Sequence, residues 1–210
     1  RRQRQMCIRD RLDSVTLMQD SADIPPSTPL DDWLDALSRP RGSPGGGAAS
    51  GVMLAIAASL MSMVGGYSDD DPRAADIVDR LARQRAEALR AVEADGVVSS
   101  SFGAALALPS DDPSRDERVR NAAVEAARSA AQVGVIGVAM LRDVRVLVEA
   151  GNPHIVVDLA VAAEALRAGL SGGAMNIRAN LQIARRHGAE TLADLEAEVE
   201  RVAGAEREVG

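Results

Sequence analysis

Between Ser43 and Ser68 the chain carries no charged side chain. No other feature restricts the fold as much. A run of this length is either a membrane span or a helix enclosed by other protein. Its middle, Ala48 to Val64, is richer in Ala, Ser, Met and Gly than in Leu, Ile and Phe. That is thin hydrophobicity for a span, which needs about 20 strongly apolar residues. The run is therefore expected to be the central helix of a bundle and not a membrane segment. A second charge-poor run, Ser129 to Leu141, is too short to span.

The available side chains decide what can enclose such a helix. Apolar residues make up 46% of the chain, but the aromatics are only Trp33, Tyr67 and Phe102. The core must be made of Ala, Val, Leu, Ile and Met. Small side chains let helix axes approach closely, and abundant Ala, Leu, Glu and Arg favour helix over strand. The spacing predicts a short helix opening at Thr28-Pro29, with a capping hydroxyl, Pro at the first helical position and Asp31 and Asp32 in the first turn, and running to about Ser38. Ala48 to Val64 follows a glycine-rich loop. Ala74 to Asp95 repeats Ile77, Leu81, Ala88, Leu89 and Val92 at helical spacing, then continues or kinks into Val97 to Leu108. Arg115 to Glu149, Val157 to His187 and Thr191 to Val202 complete the set. The expectation is an all-α, up-and-down bundle of long helices joined by short loops.

The domain is expected over residues 29–205, with residues 1–28 a disordered or artefactual arm. The first residues, RRQRQMCIRDR, are basic where the rest is acidic, and they resemble peptides produced when sequencing-adapter DNA is translated. They are left out of the functional reading, Cys7 included.

Several chemistries are excluded by composition. The net charge of -7 and pI of about 4.9 leave no basic footprint for nucleic acid. All 24 cationic residues are Arg, so Schiff-base chemistry has no lysine to use. A single Cys rules out an internal disulfide and a cysteine zinc site, and His154 and His187 are little material for any metal centre. A reducing, cytoplasmic setting and no metal or cofactor are expected.

Three features could carry chemistry. Ser43-Pro44-Gly45-Gly46-Gly47 opens a helix. It exposes first-turn N–H groups to an anionic or carbonyl-bearing ligand, or else simply lets two helices pack tightly. Glu93-Ala94-Asp95 sets carboxylates on a partly apolar helix. Desolvation there makes a general acid or base, and exposure makes a solvated surface. Asn152 and Asp158 precede Asn176 and Asn180, which are four apart on one helical face. That pair either holds polar ligand atoms or bridges helices, and Asp158 either binds or caps a helix.

The order of these blocks carries a resemblance. SPGGGAASGVMLAIAASLMSMV resembles the opening helix of the formiminotetrahydrofolate cyclodeaminase and methenyltetrahydrofolate cyclohydrolase family. VEADGVVSSSFGAALALP is similar to its acidic segment, which ends in Leu-Pro fourteen residues after the second acid; here these are Leu108-Pro109 and Asp95. GNPHIVVDLAVAAEALRAGLSGGAMNIRANL is similar to its Gly-Asn, Ser-Asp and Asn-x-x-x-Asn segment. The resemblance covers about residues 29–203.

It implies an all-α bundle, usually a homodimer, that binds a tetrahydrofolate derivative as substrate. It implies hydrolysis of 5,10-methenyltetrahydrofolate to 10-formyltetrahydrofolate, or cyclisation of 5-formiminotetrahydrofolate with release of ammonia. Asp95 matches the catalytic position. Ser43, Gly45, Gly46, Gly47, Glu93, Asn152, Asp158, Asn176 and Asn180 match the substrate-binding segments. The sequence departs from the family where Ser110 replaces a Lys, Ala48 and Val157 replace Ser, Gly134 replaces a Pro, and Asp69, Asp70 and Asp71 replace a basic loop. The alternative reading is therefore a diverged, non-catalytic bundle that binds folate or a protein partner.

Overall fold

The structure, a computed structural model, describes residues 28–40, 43–68 and 71–209. Most of the expected arm, Cys7, and Asp69 and Asp70 lie outside the described residues. Six α-helices and no strand are found among those described: α1 Leu30–Ser38, α2 Gly46–Gly66, α3 Pro72–Leu106, α4 Arg115–Ala150, α5 Val156–Arg186 and α6 Ala193–Val209. A 3-10 turn, Pro153–Ile155, joins α4 to α5. The all-α bundle expected from composition is the fold.

Helices α2 to α5 run up, down, up and down. Ser50 of α2 lies against Gly172 of α5, and Leu54 against Gly169. Gly51 meets Val92 of α3, and Gly137 of α4 meets Leu54 and Leu170. A Cβ at Gly169 or Gly172 would come within 2.5 or 2.2 Å of these neighbours, so glycine is what lets the axes approach this closely. With hardly any aromatics, a dry core of Ala and Leu closes only at such short axis separations. α6 lies across α4 and α5, with Val202 seated on Gly134.

Some local readings differ. Pro29 stands at the N-cap of α1, not inside it, and no side chain caps that helix. α3 is continuous through Gly96, where a kink was one option, and α4 runs unbroken through Gly134 and Gly137. α6 extends to Val209 because Val202, Ala203 and Ala205 are still buried against the bundle. Two ends do have legible caps. Asp71 accepts a hydrogen bond from the Arg73 N–H ahead of Pro72 at the first helical position of α3. Gly188, at φ +86°, ends α5: its N–H reaches the carbonyl of Arg185 and that of Ala189 reaches Ala184.

α2 is long and apolar enough to cross a membrane, with a mean hydropathy of 1.8 over its most apolar window. Ala48, Leu54, Ala57, Ala58, Met61 and Val64 are buried. They pack within the bundle, while its opposite face is open.

Candidate functional site

The first turn of α2 needs acceptors for its unpaired N–H groups. Gly45, at the N-cap, has no side chain to give, and none caps the helix locally. The acceptor comes from a neighbouring helix. Asp95 of α3 lies against Gly47, and its carboxylate accepts the Ala48 N–H. The exposed N–H cluster expected of the glycine loop is thus partly occupied by the protein's own carboxylate. Gly46 and Gly47 belong to the helix and not to the loop before it.

Asp95 is only 6% exposed. Ser129 of α4 donates to its Oδ1 at 3.3 Å and Ser99, one turn along α3, to its Oδ2 at 3.4 Å. These are long for hydroxyl hydrogen bonds, so the carboxylate is loosely held on that side. Burial pushes the Asp95 carboxyl above the ordinary carboxylate range; the bonds from Ser129, Ser99 and the Ala48 N–H oppose this without cancelling it. A carboxyl so placed can hold a proton nearer neutral pH than a surface Asp can. Its position is fixed by the three helices around it.

Asn176 of α5 completes the cluster from the other side of α2. Its amide oxygen and nitrogen are each 3.7 Å from where a Cβ on Gly46 would be, and its Nδ2 donates to the Gly172 carbonyl at 2.8 Å. Asn180 is half-buried one turn further along α5. Ser43 is half-buried in the loop before Gly45. Gly46, Gly47, Asp95, Ser99, Ser129 and Asn176 therefore share one end of the bundle.

The remaining candidates do not join them within one chain. Glu93 is exposed, because two residues along a helix turn it about 200° from Asp95. Asn152 and Asp158 stand at the other end of α2, about 30 Å of helix away. There Asn152 is a structural tie. Its N–H donates to Ser68 Oγ, its Nδ2 donates to the Tyr67 carbonyl, and its Oδ1 caps the 3-10 turn through the His154 N–H. Asp158 is half-buried in the first turn of α5, whose N-cap is Ile155, so it does not cap that helix.

Ser99 and Ser129 were not singled out from the sequence. Ser99 had a signal, its position four residues after Asp95; Ser129 had none, since its distance from Asp95 is set only by how α4 packs on α3.

The absence of a side chain at Gly47 is required by this arrangement. A Cβ there would sit 2.6 Å from both carboxylate oxygens. Gly47→Ala should displace Asp95 or part α2 from α3, and lower stability by about 1–3 kcal/mol, the scale for overpacking. An unaltered melting temperature in Gly47→Ala would show that the contact yields without cost.

A family model described as formiminotransferase-cyclodeaminase matches residues 29–201. Among solved structures, the chain is similar to formiminotetrahydrofolate cyclodeaminase from Thermotoga maritima. The TM-score is 0.69 and the identity 23%, over 86% of this chain and 93% of that one. No curated protein gives a significant match.

Proposed function

Because the chain belongs to the formiminotransferase-cyclodeaminase family, we propose that it is a folate one-carbon enzyme with Asp95 as its general acid and base. The observation that carries this reading is a buried carboxyl of raised proton affinity, held between the glycine-opened end of α2 and a serine from each of two helices. Either 5-formiminotetrahydrofolate is cyclised with release of ammonia, or 5,10-methenyltetrahydrofolate is hydrolysed to 10-formyltetrahydrofolate. Both pass through a tetrahedral carbon bonded to both folate nitrogens.

Each direction needs a proton moved at that carbon's substituents. In cyclisation, N10 attacks the formimino carbon and loses its proton, and the amino group must gain one before it leaves as ammonia. In hydrolysis, water adds and loses a proton, and N5 gains one as its bond to carbon breaks. One carboxyl that alternates between its two protonation states serves either sequence. The N–H groups of Gly46 and Gly47 and the amide of Asn176 would orient polar edges of the substrate. The bond from residue 48 to Asp95 comes from the backbone N–H, which an alanine supplies as a serine does.

The test is the absorbance of the methenyltetrahydrofolate chromophore with the full chain. Its loss from methenyltetrahydrofolate, faster than without protein, is expected of a hydrolase. Its growth from formiminotetrahydrofolate is expected of a cyclodeaminase. Flat traces in both, with folded helical protein, would overturn the enzymatic reading and leave the binding bundle.

A further inference from the structure

Trp33 is the only tryptophan of the chain, and it stands apart from the main core. It is 3% exposed and forms a separate small cluster with Ala48 of α2 and Val92 of α3, against which Leu37 and Val52 pack. α1 has nine residues and no side-chain cap, and a helix so short does not hold its shape alone. Its buried residues are Trp33 and Ala36, so the indole is its main anchor on the bundle.

Both partners of that indole serve the candidate site. Ala48 donates the N–H that Asp95 accepts. Val92 lies three residues before Asp95 on α3, and it fills the place where Gly51 of α2 lacks a side chain. Trp33 thus stands behind the donor and behind the helical turn that carries the acceptor. Its Nε1 is buried with no hydrogen-bond partner, one of two such side-chain atoms among the described residues. An unpaired buried N–H costs stability, and Phe or Leu would not incur that cost. What the indole adds is size, enough to reach from α1 to α2 and α3 together.

We infer that Trp33 is a positioning residue, which closes the Ala48–Asp95 hydrogen bond to water from the α1 side and holds the first turn of α2 against α3. Its value to catalysis rests on the proposed role of Asp95; its shielding of Asp95 does not. No charged side chain competes for this task. α2 has none. Glu93 of α3 is exposed, as is Arg128 of α4, which pairs with Glu125. α5 presents Asn176, and Asp31, Asp32 and Asp35 of α1 are exposed. Without Trp33, water reaches the Asp95 carboxylate and holds it as it holds a surface Asp.

The shielding is tested by thermal melts at several pH values. Asp95→Asn is made in the wild-type chain and in Trp33→Ala. In the wild-type chain it should gain stability over its parent as pH rises from acid to neutral. In Trp33→Ala that gain should shrink, because a hydrated carboxylate no longer resists ionisation. Trp33→Phe, which refills most of the volume without the unpaired N–H, should restore it. A gain in Trp33→Ala as large as in the wild-type chain would overturn the shielding. If Trp33→Ala does not fold, Trp33→Leu takes its place and should lose part of the gain; failure of Trp33→Leu to fold would make Trp33 structural and overturn the inference. Turnover is the second readout. Trp33→Ala should lower kcat by at least about tenfold and leave KM little changed, since Gly46 and Asn176 meet on the other side of α2. An unchanged kcat beside a shrunken gain would overturn the positioning role. An inactive wild-type protein would count against the Asp95 reading, and the melts would still decide whether Trp33 shields that carboxylate.

Discussion

Asp95→Asn should lower turnover by about 10²–10⁴-fold, the usual contribution of a positioned acid or base, and should not lower the melting temperature. The two halves come from one cause. Burial raises the proton affinity of Asp95 in the folded chain. Between the ordinary aspartate range and this raised value the native state holds more protons than the unfolded one. Stability then falls as pH rises through that window, and at neutral pH the ionised group is a standing cost. Asparagine removes the charge; its amide nitrogen takes the place of one carboxylate oxygen and donates to the serine on that side, while its oxygen accepts from the serine on the other. Wild type should therefore lose stability on passing from acid to neutral pH relative to Asp95→Asn, as read by thermal melts at several pH values. Wild-type turnover in the variant would remove Asp95 from the mechanism. A variant several degrees less stable at neutral pH would mean that the charge on the helix end outweighs burial.

The largest expected effect on stability lies elsewhere in the bundle. Asp143 of α4 is fully buried, and Arg80 of α3 holds it with hydrogen bonds from Nε and Nη2 at 3.0 and 2.8 Å. The Arg80 side chain is 33% exposed. The pair is unequal, so its two deletions should be too. Arg80→Ala strands a carboxylate that has no access to water, and should cost about 3–5 kcal/mol. Asp143→Asn leaves a cation that can extend to solvent and should cost clearly less. Urea unfolding of both variants measures the difference. Equal losses would show that the ion pair is not what holds α3 to α4 at this level.

The helices were legible because their signals are local. The charge-free run, the near absence of aromatics and the repeat of Ile77, Leu81, Ala88 and Val92 act over one or two turns. Helix ends were less legible, since α3 crosses Gly96 and α6 passes Val202 on the strength of packing. The site was legible as residue types in an order. Asp95, the glycines and Asn176 could be named, and the structure brings them together. Ser129 could not be named, because a serine in an Ala-rich helix looks the same whether or not a carboxylate faces it. Asn152 could be named, but its task of tying Tyr67, Ser68 and His154 together depends on where α2 ends relative to α4.

By itself, the sequence determined the class of fold, because periodicity, glycine placement and the lack of bulky side chains admit close-packed helices and little else. It also offered Asp95 as a candidate, through the resemblance of its segment to a family's acidic block, and left open whether that carboxylate was buried or solvated. Only the tertiary structure decided the environment of that carboxylate, which is buried and holds its proton more tightly than a surface Asp. The N–H it caps, the Ser129 hydroxyl that faces it and the distance to Asp158 are relations between residues dozens of positions apart. They are fixed by helix register across the bundle, which no local pattern encodes.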